Sequence, residues 1–404
     1  MMANDLTSVD DALQHILDRA PAITRTEAVA LTDSLGRILA ENQYVPADVP
    51  PADNSAVDGY AVCLADVAAG RPMSVSARIP AGVAPGTLAP GTAARIFTGS
   101  EIPEGADAVV MQERVERTDD MILIQAEVSE GQNIRRRGQD LARGDLALAK
   151  GKRIRPQEMG LLASMGMSQV PVMGRLRVAV LTTGDELVEP GQPLDPGQIY
   201  NTNRFTLMGL LAEAGCELVL CETLEDTREA TRSTLESAAA KADLIITSGG
   251  VSVGEEDHVR AVLEESGKLS LWRMAIKPGK PLAFGEVAGI PVLGLPGNPA
   301  AVLVTFLVVV MPYIRKRQGR QDLLPVGEYL PAGFDVTSTS VRREFVRARK
   351  QGSAAGLEVV AYPNQSSGVL SSACWGDGLA VVPEHTAIRA GDLITYYPFT
   401  ELLS

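Results

Sequence analysis

The chain is poor in several residue types, and each shortage excludes something. Aromatic residues make up only 4% of the 404 positions, so Val, Leu, Ile and Ala must supply most of the core. The four cysteines, Cys63, Cys216, Cys221 and Cys374, form no Cys-x-x-Cys pair, and His15, His258 and His385 are as scattered. That argues against a disulfide framework or a structural zinc site and fits a reducing compartment. Positive charge is in deficit. A formal net charge of -13 argues against a general nucleic-acid binder, which needs clustered Lys and Arg, yet leaves room for a local basic pocket. The longest greasy run, "AAVLVTFLVVVMPYI" from Ala300, is about 15 residues and is interrupted by Pro312. It falls short of the roughly 20 needed to span a bilayer, so a buried helix is expected. The first residues, "MMANDLTSVDDALQHILDRA", carry acids where a signal peptide would start basic and turn apolar, so a cytoplasmic location is expected. Heptads, solenoid repeats and low-complexity tails are absent from the pattern.

What remains is an ordinary globular composition, 45% apolar and 22% charged, in a chain long enough for two to four domains. "TSVDDALQHILDR" has Thr7 or Ser8 as a cap, acids in its first turn and Leu13, Ile16 and Leu17 on one face, which predicts a helix over 7–20. From 46 to 145 Pro and Gly punctuate short β-like runs such as "MSVSARI", "AARIFT" and "MILIQAEV", predicting a β-rich module. "RPQEMGLLASMGMSQV" returns to helical spacing, with Pro156 suited to a first turn and Gly166 to a stop. Residues 23–45 and 146–174 therefore read as one mixed α/β domain into which the module is inserted. Between 175 and 324, strands and helices alternate, the signature of a parallel, doubly wound α/β sheet, on which the N-terminal helix can pack. Residues 325–404 return to short strands and form a small β-rich C-terminal domain.

Three glycine turns follow strands of the α/β region: "TTGDEL" (182–187), "TSGGVSVG" (247–254) and "LPGNPAA" (295–301). Ligands bind outside the carboxyl ends of such strands, and free N–H groups at glycine turns make anion nests. One such turn does no more than reverse the chain. Three point to a shared ligand site built from Thr183, Gly184 and Asp185, from Ser248, Gly249, Gly250, Val251, Ser252 and Gly254, and from Pro296, Gly297, Asn298 and Pro299. Glu186, Asp226 and Asp257 lie at the same edge. Together they would repel a bare phosphate unless a hard cation such as Mg2+ bridges them. Each acid alone is also what a helix N-terminus favours, Asp226 most of all. "KPGKP" holds Lys277 and Lys280 around Pro278 and Gly279, two restrained ammonium groups suited to an oxyanion. Arg135 to Arg137, Arg342 and Arg343 offset the acidic background locally. Asn54, Ser55, Asp58, Thr98 and Asp140 add polar groups in the β-module that physics alone does not assign.

Six of these segments, "NSAVDGYA", "RIFTGS", "TGDEL", "TSGGVSVGEED", "AIKPGKPLAFG" and "LPGNP", together resemble the signatures of molybdopterin molybdenumtransferases, the MoeA-type enzymes that are similar to the C-terminal domain of gephyrin. The resemblance is co-linear over nearly the whole chain. It implies an elongated four-domain protomer, a homodimer with an active site shared between subunits, and insertion of molybdate into the dithiolene of adenylylated molybdopterin with release of AMP. By the same resemblance the Gly249-Gly250 turn cradles phosphates, Glu186 and Asp257 hold Mg2+, and Lys277 and Lys280 grip molybdate. Asp58, Thr98, Asp140 and Asp226 match functional positions, the first three facing the partner subunit. Arg343 and Ser367, with Ser371 nearly as good a match, fall where C-terminal-domain residues help bind molybdate. Hand-off of the pterin nucleotide from a molybdopterin adenylyltransferase is also implied.

Two positions depart from the family pattern. A serine is common where this chain has Ala301, and a lysine where it has Arg273. Loss of one hydroxyl donor removes roughly 0.5–1.5 kcal/mol, somewhat more toward a charged oxyanion. Other readings are an adenylyltransferase acting one step earlier, which would consume ATP without molybdate, and a gephyrin-like scaffold, against which the acid-and-lysine set argues. An ordinary dinucleotide fold fails on pattern, because no G-x-G-x-x-G follows the first strand of the α/β region.

Overall fold

The computed structural model describes residues 6–225, 227–250, 258–265, 269–353 and 356–404. Its central element is a six-stranded sheet of β1 (Arg177–Thr183), β2 (Glu217–Leu224), β3 (Leu244–Ser248), β4 (Ser270–Arg273), β5 (Pro281–Val287) and β6 (Ile290–Leu295), ordered β2-β1-β3-β6-β5-β4. The first four in that order are parallel, whereas β6–β5 and β5–β4 pair antiparallel. This corrects the expectation of a parallel sheet. Ala288 and Gly289 between β5 and β6 both take positive φ, 49° and 80°, and a two-residue turn of that hand joins antiparallel strands.

The sheet is doubly wound. Val178, Val180, Leu244, Ile246 and Leu293 pack with the helix Thr202–Glu213 and the helix Pro299–Arg317, while Ala179, Leu181, Ile245 and Val292 pack with helices Arg228–Ala239 and His258–Glu265. Period-2 alternation delivers each strand to both layers, which is why "VAVL" and "LII" are apolar at every position. The greasy run after Ala300 is a core helix, as its composition predicts, but a longer one of 19 residues, Pro299–Arg317, most of it buried. It passes Pro312 because Phe306–Val310 widens into a π turn, which accommodates the missing N–H donor.

The N-terminal helix spans Val9–Asp18, and of the two candidate caps Ser8 is the one used, accepting from the Asp11 N–H at 3.0 Å. Its Val9, Ala12 and Ile16 join the same core as the α/β sheet. Thr26–Ala30 pairs antiparallel with Gln169–Met173, and the chain between them holds a separate six-stranded sheet over 59–124. That module also contains one short helix, Leu64–Ala68, which the turn-rich pattern did not suggest. Asp48 and Asp53 stitch its loops: their carboxylates accept from the Arg137 and Arg136 side chains and from the backbone N–H groups of Arg143 and Arg137.

The C-terminal sheet runs Ile276–Lys277, Arg343–Ser353, Gly378–Val382, Leu393–Pro398, Glu328–Pro331, with Gly356–Ala361 also on Arg343–Ser353. Its first strand comes from the α/β region, where Ile276 pairs with Arg343 and Lys277 with Glu344 in parallel.

At the amino ends of β1 and β3, Asp243 accepts from Arg25 (2.6 and 2.9 Å) and from the Arg177 side chain (3.0 Å) and N–H (2.9 Å). Burial raises the Asp243 pKa, but the two guanidiniums outweigh it and hold the carboxyl well below its ordinary range. A depressed folded-state pKa stabilises the fold above the unfolded value near 3.9, an effect lost as pH falls toward the folded value. Asp243→Asn is expected to cost on the order of 2 kcal/mol at pH 7, discounted because both arginines are half exposed. In thermal melts the gap from wild type should be flat between pH 6 and 8 and close below about pH 4; a gap independent of pH would contradict the linkage.

Candidate functional site

A cavity of about 550 Å³ opens at the carboxyl ends of β1, β3 and β6. β1 lies between β2 and β3, so the winding reverses there, and the crevice beside β1 is where an open α/β sheet takes its ligand. The three glycine turns and the lysine turn meet around this space. Thr183 and Glu186 line it from the first turn, Ser248 from the second, and Pro296, Gly297, Asn298 and Pro299 from the third, with Gly279 and Lys280 opposite.

Steric demand sets the glycines. Gly249 and Gly250 take φ of +90° and +66°, and a Cβ at Gly249 would fall 2.8 Å from both the carbonyl and the hydroxyl oxygen of Thr183. No side chain fits between these two turns. Cross-bonds then lock the turns together. The amide nitrogen of Asn203 donates to Ser248 Oγ (2.9 Å) and to the Gly297 carbonyl (2.6 Å), and Ser248 Oγ donates to the Pro296 carbonyl (3.1 Å). Beside it Asn201 caps the helix by accepting from the Arg204 N–H and donates to Thr182 and Thr223 at 2.8 and 3.2 Å. The chain's own side chains thus brace the cavity wall.

The charges divide between wall and scaffold. Lys280 lines the cavity, whereas Lys277 does not; its Nζ lies 3.0 Å from both oxygens of Glu344. Of the adjacent arginines, Arg342 lines the cavity. Arg343, which the family resemblance favoured, turns away from the cavity and donates to both oxygens of Asp10 (2.8 Å each) and to Glu384 (3.3 Å). Its hydrogen bonds to Asp10 hold its pKa well above the usual arginine value. Near the same edge Arg347 is wholly buried, with neutral partners only among the described residues: Ser372 Oγ at 2.9 Å and the Ser366 carbonyl at 3.0 Å. Burial pushes its pKa down to about 10, so the guanidinium stays charged at neutral pH. Arg347 anchors the loop whose Ser367 carbonyl accepts the Ala300 N–H at 2.9 Å, against the third glycine turn. Ser371 is exposed at the start of the short helix Ser371–Trp375.

Other expected residues stand elsewhere. Gly184 and Pro278 adjoin the cavity without lining it, and Asp185 is exposed beside it. Asp58 accepts from the Thr98 N–H (2.8 Å) and hydroxyl (2.9 Å), bonds that hold its pKa below the ordinary range and join two of the module's motifs. Asp58, Thr98 and Asp140 do not line the cavity. Val251, Ser252, Gly254, Asp226 and Asp257 lie outside the described residues. Among the described residues no cluster of three metal-ligating side chains occurs, and Glu186 is the carboxylate on the cavity wall. Its hard oxygens suit a cation such as Mg2+.

Sequence reasoning missed Asn203 and Arg347, and it read Arg342 only as offsetting the acidic background. The signal for Asn203 was "YNTN" opening a helix at a ligand-binding edge. For the arginines it was strand alternation, which leaves open which face turns inward.

Comparison with known proteins gives one answer along the chain. Residues 7–166 match the MoeA N-terminal region (domains I and II), 179–316 a probable molybdopterin binding domain, and 329–399 the MoeA C-terminal region (domain IV). The chain is 40% identical to a molybdopterin molybdenumtransferase of Haemophilus influenzae, over 98% of this chain and 100% of that one. It is 35% identical to molybdopterin molybdenumtransferase 2 of Mycobacterium tuberculosis, over 96% and 98%. A solved structure of the molybdopterin biosynthesis MoeA protein from Pyrococcus horikoshii is similar with a TM-score of 0.85 at 32% identity, over 97% of this chain and 100% of that one.

The division between Arg342 and Arg343 is testable by calorimetry with AMP and by thermal melts. Arg342→Gln should weaken anion binding roughly tenfold or more, the worth of a charge-assisted hydrogen bond, with an unchanged melting temperature. Arg343→Gln should do the reverse, lowering the melting temperature while sparing affinity. Equal effects of the two would mean the strand does not separate their roles.

Proposed function

Because the chain belongs to the MoeA family of molybdopterin molybdenumtransferases, enzymes of molybdenum cofactor biosynthesis, we propose that its strand-end cavity receives adenylylated molybdopterin and molybdate and releases AMP as molybdate enters the pterin dithiolene. The observation that carries this reading is the cavity wall itself. Lys280 and Arg342 face a space bounded by backbone turns and, among the described residues, one carboxylate, in a protein that is acidic overall. The bond to be broken is a phosphoanhydride and the group delivered is a dianion, so positioning and charge neutralisation dominate the chemistry.

In this reading the N–H groups of the Gly249-Gly250 turn cradle a phosphate, and Thr183, Ser248 and the Gly297-Asn298 turn set its position. Lys280 and Arg342 hold oxyanion charge from two different domains. Lys277, Arg347 and Ser367 support them: Lys277 by tethering the lysine turn to Glu344, Arg347 by fixing the loop of Ser367 and adding an uncompensated positive charge behind it. Mg2+, if held by Glu186 with Asp257, would neutralise charge on the phosphates as the anhydride opens. Asp58, Thr98 and Asp140 are separated from the cavity wall of their own chain, which favours a homodimer in which they reach the partner's cavity. Hand-off from an adenylyltransferase and a cytoplasmic setting accord with a nucleotide-activated pterin substrate.

The deciding experiment supplies adenylylated molybdopterin and Mg2+ to purified protein and titrates molybdate while following AMP. Release should depend on molybdate, fall at least a hundredfold in Asp257→Ala, and require more molybdate in Lys280→Ala by roughly tenfold or more. AMP release indifferent to molybdate, or absent from a folded protein that binds the nucleotide, would overturn the reading.

A further inference from the structure

A buried positive charge with no negative partner is costly, and a fold that keeps one invites the question of what offsets it. Arg347 is such a charge. It stands on the strand Arg343–Ser353 at 1% exposure, and burial alone shifts its pKa, with no carboxylate near enough to act on it. Arg315, whose pKa burial also lowers, has Asp322 and Glu401 within electrostatic reach. Glu344, three residues before Arg347, is spent on Lys277.

The loop that receives this guanidinium is tightly held. Gln365 accepts from the Arg347 N–H (2.9 Å) and donates to the Arg347 carbonyl (2.9 Å) and the Tyr362 carbonyl (2.8 Å). Arg347 Nη2 donates to the Ser366 carbonyl, and the next carbonyl, that of Ser367, accepts the Ala300 N–H. Ala300 is fully buried and follows Pro299, which lines the cavity. Two hydrogen bonds and a short run of backbone thus separate the guanidinium from the wall, on the order of 10 Å. The path runs through protein, where screening is weak.

We propose that Arg347 is a specificity-determining residue of the cavity: without touching the ligand, its charge favours a doubly charged tetrahedral oxyanion over a singly charged one. This rests on the anion-binding reading of the cavity. Lys280 and Arg342, on the wall itself, can hydrogen-bond an anion of either charge. A charge held back in dry protein acts through Coulomb attraction, which doubles when the charge of the anion doubles. Removing it therefore costs a dianion the square of the factor it costs a monoanion. The dianion in turn supplies the negative charge that Arg347 lacks among the described residues. Molybdate and the phosphate of AMP share this chemistry, and the test separates them.

Molybdate and perrhenate are both tetrahedral oxometalates and differ in charge, so comparing them isolates that variable. The full chain, Arg347→Met and Arg347→Lys are titrated calorimetrically with each anion and with AMP, and their melting temperatures recorded. Arg347→Met should bind molybdate roughly tenfold more weakly and perrhenate only about threefold. Its melting temperature should stay close to wild type, because losing an unpaired buried charge offsets the two lost hydrogen bonds. Arg347→Lys keeps the charge and should keep the wild-type ratio of the two affinities. Should Arg347→Met fail to fold, Arg347→Gln, which removes the charge and retains a donor, makes the same comparison. A loss for AMP that molybdate does not share would seat the phosphate, and not the metal oxyanion, beside the charge. Equal losses of molybdate and perrhenate affinity would overturn the proposal and leave Arg347 a loop anchor, and unchanged affinity for all three anions would overturn it as well. A wild-type protein that binds none of them would instead remove the cavity reading on which the proposal stands.

Discussion

The pairing of Ile276–Lys277 with Arg343–Glu344 is the constraint on which the site depends. The few residues before the lysine turn hold three parts of the chain at once. The Thr7 N–H donates to the Arg273 carbonyl, the Ala275 N–H to the Thr7 carbonyl, and the Arg343 N–H to the Ala275 carbonyl, all within 3.0 Å. Backbone bonds of this kind leave no freedom of register, because a slip by one residue would reverse every side chain on the strand. The Lys277–Glu344 ion pair closes the same junction from the side chains. Lys280 and Arg342, which come from different domains, therefore face one space because both are counted from one short parallel ladder.

Charge is handled by subtraction. The protein is acidic overall, and much of its positive charge near the site is already bound: Lys277 by Glu344, and Arg343 by Asp10 and Glu384. Those pairs hold the N-terminal helix, the lysine turn and the C-terminal sheet together. The cations on the cavity wall keep their charge for a ligand. Arg347 is an intermediate case, a buried guanidinium whose described partners are neutral and which orders a loop while contributing field. Net charge informs solubility and non-specific binding and says little about a pocket a few ångströms across.

Much of this was legible in the residues. The doubly wound layers followed from runs such as "VAVL" and "LII", apolar at every position because both faces are covered. The three glycine turns were legible as one site because each follows such a strand, and ligands gather at that edge. Ser8 and Gly166 marked helix ends by local chemistry. The antiparallel β5 was harder, since its direction is set by the positive φ of Ala288 and Gly289, and alanine rarely signals such a turn. The length of the helix after Pro299 was hidden by Pro312, whose usual breaking effect is absorbed by a π turn.

By itself the sequence determined what depends on neighbours along the chain: caps, periodicities, the turns that only glycine can make, and the co-linear motifs that place the chain in its family. Tertiary structure alone decided which of two adjacent arginines meets the cavity, which of two lysines is spent on an ion pair, and that the amide of Asn203 fastens two turns. The physical reason is one of distance. Steric and dihedral preferences act within a few residues, whereas the facing of Arg342 or the partner of Lys277 depends on residues such as Glu344 and Asp10, far away in the chain and adjacent only once the sheets have formed.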